Sequence, residues 1–126
     1  MRHLATRLMI PAPSDHVWAL ITEYRSWPAW GISIRAVESD SIRVESEGTG
    51  RVKTIAGFWL PFSICEVDPG RSWLWEVAGI GATGHHVERI DDNQTLATFT
   101  VPWIVAPYLL ILHVSLRRLR KLAAPP

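Results

Sequence analysis

Between Ile32 and Val101 the apolar residues of this chain recur with a period of two, in segments separated by turn residues, and a long apolar-striped helix follows. The segments are 32–38, 49–57, 59–67, 72–78, 84–90 and 95–101. Glu47-Gly48, Asp68-Pro69-Gly70, Gly79 to Gly81 and Asp91-Asp92-Asn93 fall where consecutive strands must reverse, so the spacing predicts an antiparallel meander. Residues 3 to 10 read as an opening strand. Pro11, Pro13 and Ser14 stop it and start a helix capped by Ser14 or Asp15. Val17, Leu20, Ile21 and Tyr24 give that helix one apolar stripe, widened by Trp18, and Ser26 to Gly31 reads as a second, very short helix or a turn. Pro107 opens the last helix, which runs to about Ala123 with Val105, Leu109, Leu112, Leu116 and Leu119 along one stripe. The expected order is β-α-α-β6-α. This is an α+β fold in which a seven-stranded curved antiparallel sheet closes around a C-terminal helix. A sheet covered along only part of its length leaves a hollow, and a hollow between sheet and helix is a common ligand pocket.

At 126 residues, with no low-complexity break, residues 1–126 read as a single domain able to bury a core without disulfides or metal. The lone Cys65 cannot form an internal bridge, which fits a reducing compartment. A formal net charge of +1 with mixed signs gives no electrostatic reason to bind nucleic acid. Met1 to Ile10 lacks the apolar core and cleavage site of a signal peptide, so cytoplasmic residence is expected. Val101 to Leu116 is mostly apolar, but it contains Pro102, Pro107, His113 and Ser115 and falls short of the ~20 residues a bilayer requires.

Strand alternation nominates the residues that face the hollow. Trp73, Trp75 and Val77 share one face of their strand, and Ala97, Phe99 and Val101 share one face of theirs. Along 84–90, His86 and Glu88 lie with Ile90, opposite His85, Val87 and Arg89, and polarity does not separate the two faces. The His86 side is taken as inward. A histidine and a carboxylate would then face an aromatic and aliphatic cavity, as in sites that orient a hydroxyl or carbonyl ligand. The expected ligand-binding set is Trp73, Trp75, Val77, His86, Glu88, Ala97, Phe99, Leu109, Leu112 and Leu116, with His86 and Glu88 as the only candidates for moving a proton. Each has a plainer reading. Tryptophans are often core, His86 could be a core histidine, and Glu88 could pair with Arg7.

Other motifs fail on context. Gly79-Ile80-Gly81-Ala82-Thr83-Gly84 matches G-x-G-x-x-G, but a strand follows it where a dinucleotide site needs a helix N-terminus, and no cofactor is implied. His85 and His86 point to opposite faces, and no third ligand joins His86 and Glu88, so no metal site is expected. Arg117, Arg118, Arg120 and Lys121 close the last helix, where positive charge complements the helix dipole. Leu110, Ile111 and Val114 make the first half of that helix apolar nearly all round, an excess that a second subunit or a membrane surface could cover.

Ile10 to Trp30 (IPAPSDHVWALITEYRSWPAW), Gly48 to Val52 (GTGRV), Val67 to Val77 (VDPGRSWLWEV) and the run from Gly84 to Val101 resemble the polyketide cyclase/dehydrase-like branch of the START and birch-pollen-allergen superfamily, SRPBCC. The resemblance spans nearly the whole chain. It implies the helix-grip fold and a cavity for lipids, polyketides or other aromatic compounds. It also implies that His86 occupies the place of a histidine early in the sixth strand, and that Trp75 and Phe99 occupy inward aromatic positions. No catalytic set transfers residue by residue. Three roles follow as expectations: a binder of a small hydrophobic ligand, a cyclase or dehydrase using the same cavity, or a membrane-associated or oligomeric protein acting through the last helix.

Overall fold

The computed structural model of the chain describes residues 3–125, the side chain of Ile104 excepted. Met1, Arg2 and Pro126, counted in the one-domain reading, lie outside the described residues.

Strand β1 (His3–Ile10) leads to helix α1 (Ser14–Thr22), a 3-10 turn at Tyr24–Ser26 and the single-turn helix α2 (Trp27–Trp30). Strands β2 (Ile34–Ser39), β3 (Thr49–Thr54), β4 (Trp59–Asp68), β5 (Ser72–Val77), β6 (Ile80–Asp91) and β7 (Gln94–Pro102) follow, then a 3-10 turn at Trp103–Val105 and helix α3 (Tyr108–Ala123). They form one seven-stranded sheet in the order β1-β7-β6-β5-β4-β3-β2, with every neighbouring pair antiparallel. This is the α+β arrangement that the periodicity predicts and the helix-grip fold that the resemblance implies.

Local departures have physical causes. The α1 start has no side-chain cap, contrary to the expectation for Ser14 or Asp15. Pro13 takes the cap position with extended backbone, and Asp15 accepts a bond only from the adjacent His16 backbone N–H. The turn between β5 and β6 is tighter than the expected Gly79 to Gly81. Only Ala78 and Gly79 turn, at φ of 54° and 78°, so β6 begins at Ile80 and takes most of the glycine-rich run into the sheet. Two consecutive positive φ values are what a two-residue hairpin needs to follow the strand twist. Register shifts in the pairs β2–β3, β4–β5, β5–β6 and β6–β7 add the bends that curve the sheet.

Helix α3 lies over one side of the concave face, against β1, β7 and α2. Leu112, Ser115, Leu116, Leu119 and Ala123 form its buried stripe. Three polar contacts fix its position: the Thr6 hydroxyl on β1 bonds the His113 ring at 2.7 Å, the Ile32 backbone N–H donates to Ser115 Oγ, and the Tyr108 hydroxyl bonds that of Ser33. Leu110 and Val114 face solvent, so the apolar excess in the first half of this helix is uncovered in the monomer.

An aromatic block fills the middle of the sheet. Trp27 is fully buried and touches Tyr24, Trp30, Phe62, Trp73 and Trp75 through their rings. Its indole N–H donates to the Ile21 carbonyl, and that of Trp30 donates to the Leu20 carbonyl, so each large ring also ties α2 back to α1. Gly50 makes room for Phe62. A methyl there would meet the Glu38 carbonyl oxygen and lie 2.7 Å from the ring.

Candidate ligand-binding site

A cavity of about 430 Å³ opens beside this block, between the β2–β6 side of the sheet and the start of α3. Its apolar walls come from Ile34, Val52, Leu60, Trp75, Val77 and Val101, with Ala82 and Gly81 keeping the β6 wall low. Ile55, Ile80 and Val105 line it while remaining exposed, so they rim its mouth. Among the described residues no carboxylate, imidazole or cation lines it, and its polar side chains are hydroxyls. Ser33 and Tyr108 share a 2.5 Å hydrogen bond, Thr54 Oγ1 is buried without a partner, and Thr83 sits on the β6 wall.

Of the ten residues the sequence nominates, Trp75 and Val77 line this cavity. Trp73, Ala97, Phe99, Leu112 and Leu116 are buried on the inner side as expected, but they pack into the solid core. Leu109 is half-buried against the same core. The choice of the His86 face is overturned. Cross-strand register sets Trp73 opposite His85 and His85 opposite Phe99, so His85 and Val87 share the buried face with those aromatics. His86 and Glu88 therefore lie on the outer face, beside a shallow cleft with Ser72, Asp68 and Arg89. Glu88 is exposed there, and among the described residues it has no ion pair with Arg7. Val87 was the clue available in the sequence: an aliphatic residue next to His85 marks the inner side better than Ile90, which is 45% exposed at the strand end.

His85 is 2% exposed and stacks on Trp73, with ring centres 3.8 Å apart and planes 18° from parallel. Burial pushes its pKa down from 6.5 to about 3, so the ring is neutral near pH 7. Its Nε2 lies 3.0 Å from Thr83 Oγ1, and the Trp75 indole N–H donates to the same oxygen at 2.8 Å. Sequence reasoning missed Thr83, Thr54, Ser33 and Tyr108. Threonine and serine carry no distinctive spacing, and Thr83 was hidden in a glycine-rich run read partly as turn. Among the described residues no three His, Cys, Asp or Glu side chains gather as metal ligands, and no helix is long and apolar enough to cross a membrane.

Residues 1–121 match the family model described as polyketide cyclase / dehydrase and lipid transport. The chain belongs to that family. The family and the cavity together support a hydrophobic-ligand-binding or cyclase role. Solved structures agree on the fold of this family member. The di-domain ARO/CYC protein BexL matches with a TM-score of 0.75 at 17% identity, over 96% of this chain and 46% of that one. XoxI from Bacillus cereus gives 0.74 at 17% identity, over 98% and 96% of the two chains. The Aha1 dimer from Colwellia psychrerythraea gives the same score and identity over 98% and 96%. At such identities the likeness carries the fold alone. No curated protein sequence matches the chain.

Proposed function

We propose that residues 1–126 act as one domain that binds a small, largely apolar ligand of the lipid or polyketide kind, held between the sheet and the start of α3. The observation that carries this reading is the 430 Å³ cavity walled by Val52, Leu60, Trp75, Val77 and Val101. Its volume is within the range of small-molecule pockets, and an apolar wall with a few hydroxyls is the usual chemistry of such sites. Burying an apolar ligand there gains about 25 cal/mol per Å² removed from water.

Binding is favoured over proton-transfer catalysis because the described lining offers hydroxyls and apolar groups and no carboxylate, imidazole or amine to take up a proton. A cyclase working here would act by holding a flexible poly-carbonyl chain in one folded pose, which can itself supply a large part of a rate. The Ser33–Tyr108 couple is the observation that keeps this second reading open, since two linked hydroxyls could fix one carbonyl of such a chain.

Val77→Trp tests the cavity. The larger ring projects from β5 into the hollow, and affinity for the neutral fluorescent probe N-phenylnaphthylamine is expected to fall at least about tenfold, or ~1.4 kcal/mol. The thermal midpoint should stay near that of the wild type, because the ring fills space and displaces little. Equal probe affinity in the two proteins would show that the probe sits elsewhere and would remove the basis of this reading. Native mass spectrometry of the untreated protein gives the complementary check, an apolar molecule retained on purification.

A further inference from the structure

The hydroxyl of Thr83 is placed to do something that the surrounding protein does not use. Thr83 is 93% buried, since 7% of its surface is exposed, and it lines the cavity. Its Oγ1 accepts from the Trp75 indole N–H, which is a donor only. The remaining question is which way the proton runs between Oγ1 and His85 Nε2, 3.0 Å apart.

A neutral imidazole carries one N–H. If it were on Nδ1, that donor would be buried with no partner, because Nδ1 has none. The Trp73 backbone carbonyl acts on the ring as a weak acceptor that offsets only part of the effect of burial, and no hydrogen bond of full geometry reaches Nδ1 among the described residues. If the N–H is on Nε2, it donates to Thr83 Oγ1, and only a lone pair is left over at Nδ1. Orphaned buried N–H groups are the rarer and costlier of the two defects. Thr83 Oγ1 then accepts two bonds, from Trp75 and from His85, and both of its lone pairs are engaged. Its own O–H is left as a donor with no protein acceptor among the described residues, on the wall of an apolar cavity.

We propose that Trp75 and His85 hold the Thr83 hydroxyl as a donor aimed into the cavity, where it selects apolar ligands bearing a carbonyl or ether oxygen over equally shaped hydrocarbons. This rests on the cavity being the binding site. Thr83 is a ligand-binding residue here, and His85 is a positioning residue that acts through it. The neutral ring keeps the arrangement intact across the physiological range.

Two probes of closely similar shape separate the ideas: methyl naphthyl ketone, and isopropenyl naphthalene, in which a methylene replaces the oxygen on the same planar carbon. Wild-type protein is expected to prefer the ketone, and Thr83→Val to weaken the ketone about fivefold, roughly 1 kcal/mol, while leaving the hydrocarbon unchanged. Thr83→Ser, which keeps the hydroxyl, should keep the preference. The infrared carbonyl stretch of the bound ketone should lie below its position in hexane for wild type and return toward it in Thr83→Val. Should Thr83→Val fail to fold, nitrogen-15 NMR of His85 in the wild type decides: an Nε2–H tautomer is required, and an Nδ1–H tautomer overturns the proposal. Both probes binding with no ketone preference, or a lowered carbonyl stretch that persists in Thr83→Val, overturns the role of Thr83 and leaves the cavity intact. Neither probe binding wild type removes the cavity reading and this inference with it.

Discussion

Trp27→Ala is expected to lower the unfolding free energy by about 3–5 kcal/mol, the range for removing a large aromatic from a packed core. The site offers no easy collapse. Trp27 is fully buried, stacks on Trp73 with planes 2° apart at 5.3 Å, and meets Tyr24, Trp30, Phe62 and Trp75 edge-on or tilted. Removing it leaves a void edged by five rings held on four different elements, and it frees the Ile21 carbonyl that its indole N–H satisfies. Trp27→Phe keeps part of the ring contact and loses only the hydrogen bond and some volume, so a smaller loss is expected. Urea unfolding of the three proteins measures both. A loss under about 1 kcal/mol for Trp27→Ala would mean that the block is not the centre of the core.

Acid should destabilise the protein through His85. The folded ring has its pKa lowered to about 3, whereas in the unfolded chain it titrates near 6.5. Between those values the unfolded chain binds a proton that the folded protein does not. Stability is therefore full above about pH 6.5 and declines as the pH falls, by roughly 1.4 kcal/mol per unit, for a total on the order of 4 kcal/mol by pH 3. His85→Gln retains a polar group toward Thr83 but does not titrate. Its stability should fall less steeply than that of wild type between pH 6.5 and pH 4, with the carboxylates contributing equally to both. Superimposable profiles would show that burial does not hold the ring neutral.

The fold was legible because it depends on features that repeat. Six alternating segments, turn residues between them and one striped helix leave few topologies open, and each observed strand overlaps an expected one. The resemblance in Ile10 to Trp30 pointed the same way, and the family match agrees with it. The site was legible only in part, and two residues show why. The inward direction of Trp75 follows from its own strand, where the other face carries Leu74 and Glu76. The inward direction of His85 does not follow from its strand, because both faces mix polar and apolar groups. It is decided by pairing with Trp73 on one side and Phe99 on the other, a cross-strand fact of which the strand itself carries only the hint of Val87. The extent of the hollow was misjudged for a related reason. Alternation tells which face a ring points to but not how many rings meet there, and Trp27 and Trp30 come from α2 to fill space that strand residues alone would leave open.

The aromatic block also works as a stop. Trp75 belongs both to the block and to the wall of the cavity, so its indole bounds the hollow on the side of the block, while Ile55, Ile80 and Val105 stand exposed at the rim. A tail reaching in from solvent gains about 0.8 kcal/mol for each methylene it hides until it meets the indole, and every further carbon must stay in water. Affinity along a homologous series of chains would then climb and level off, with the position of Trp75 setting the length at which it does so.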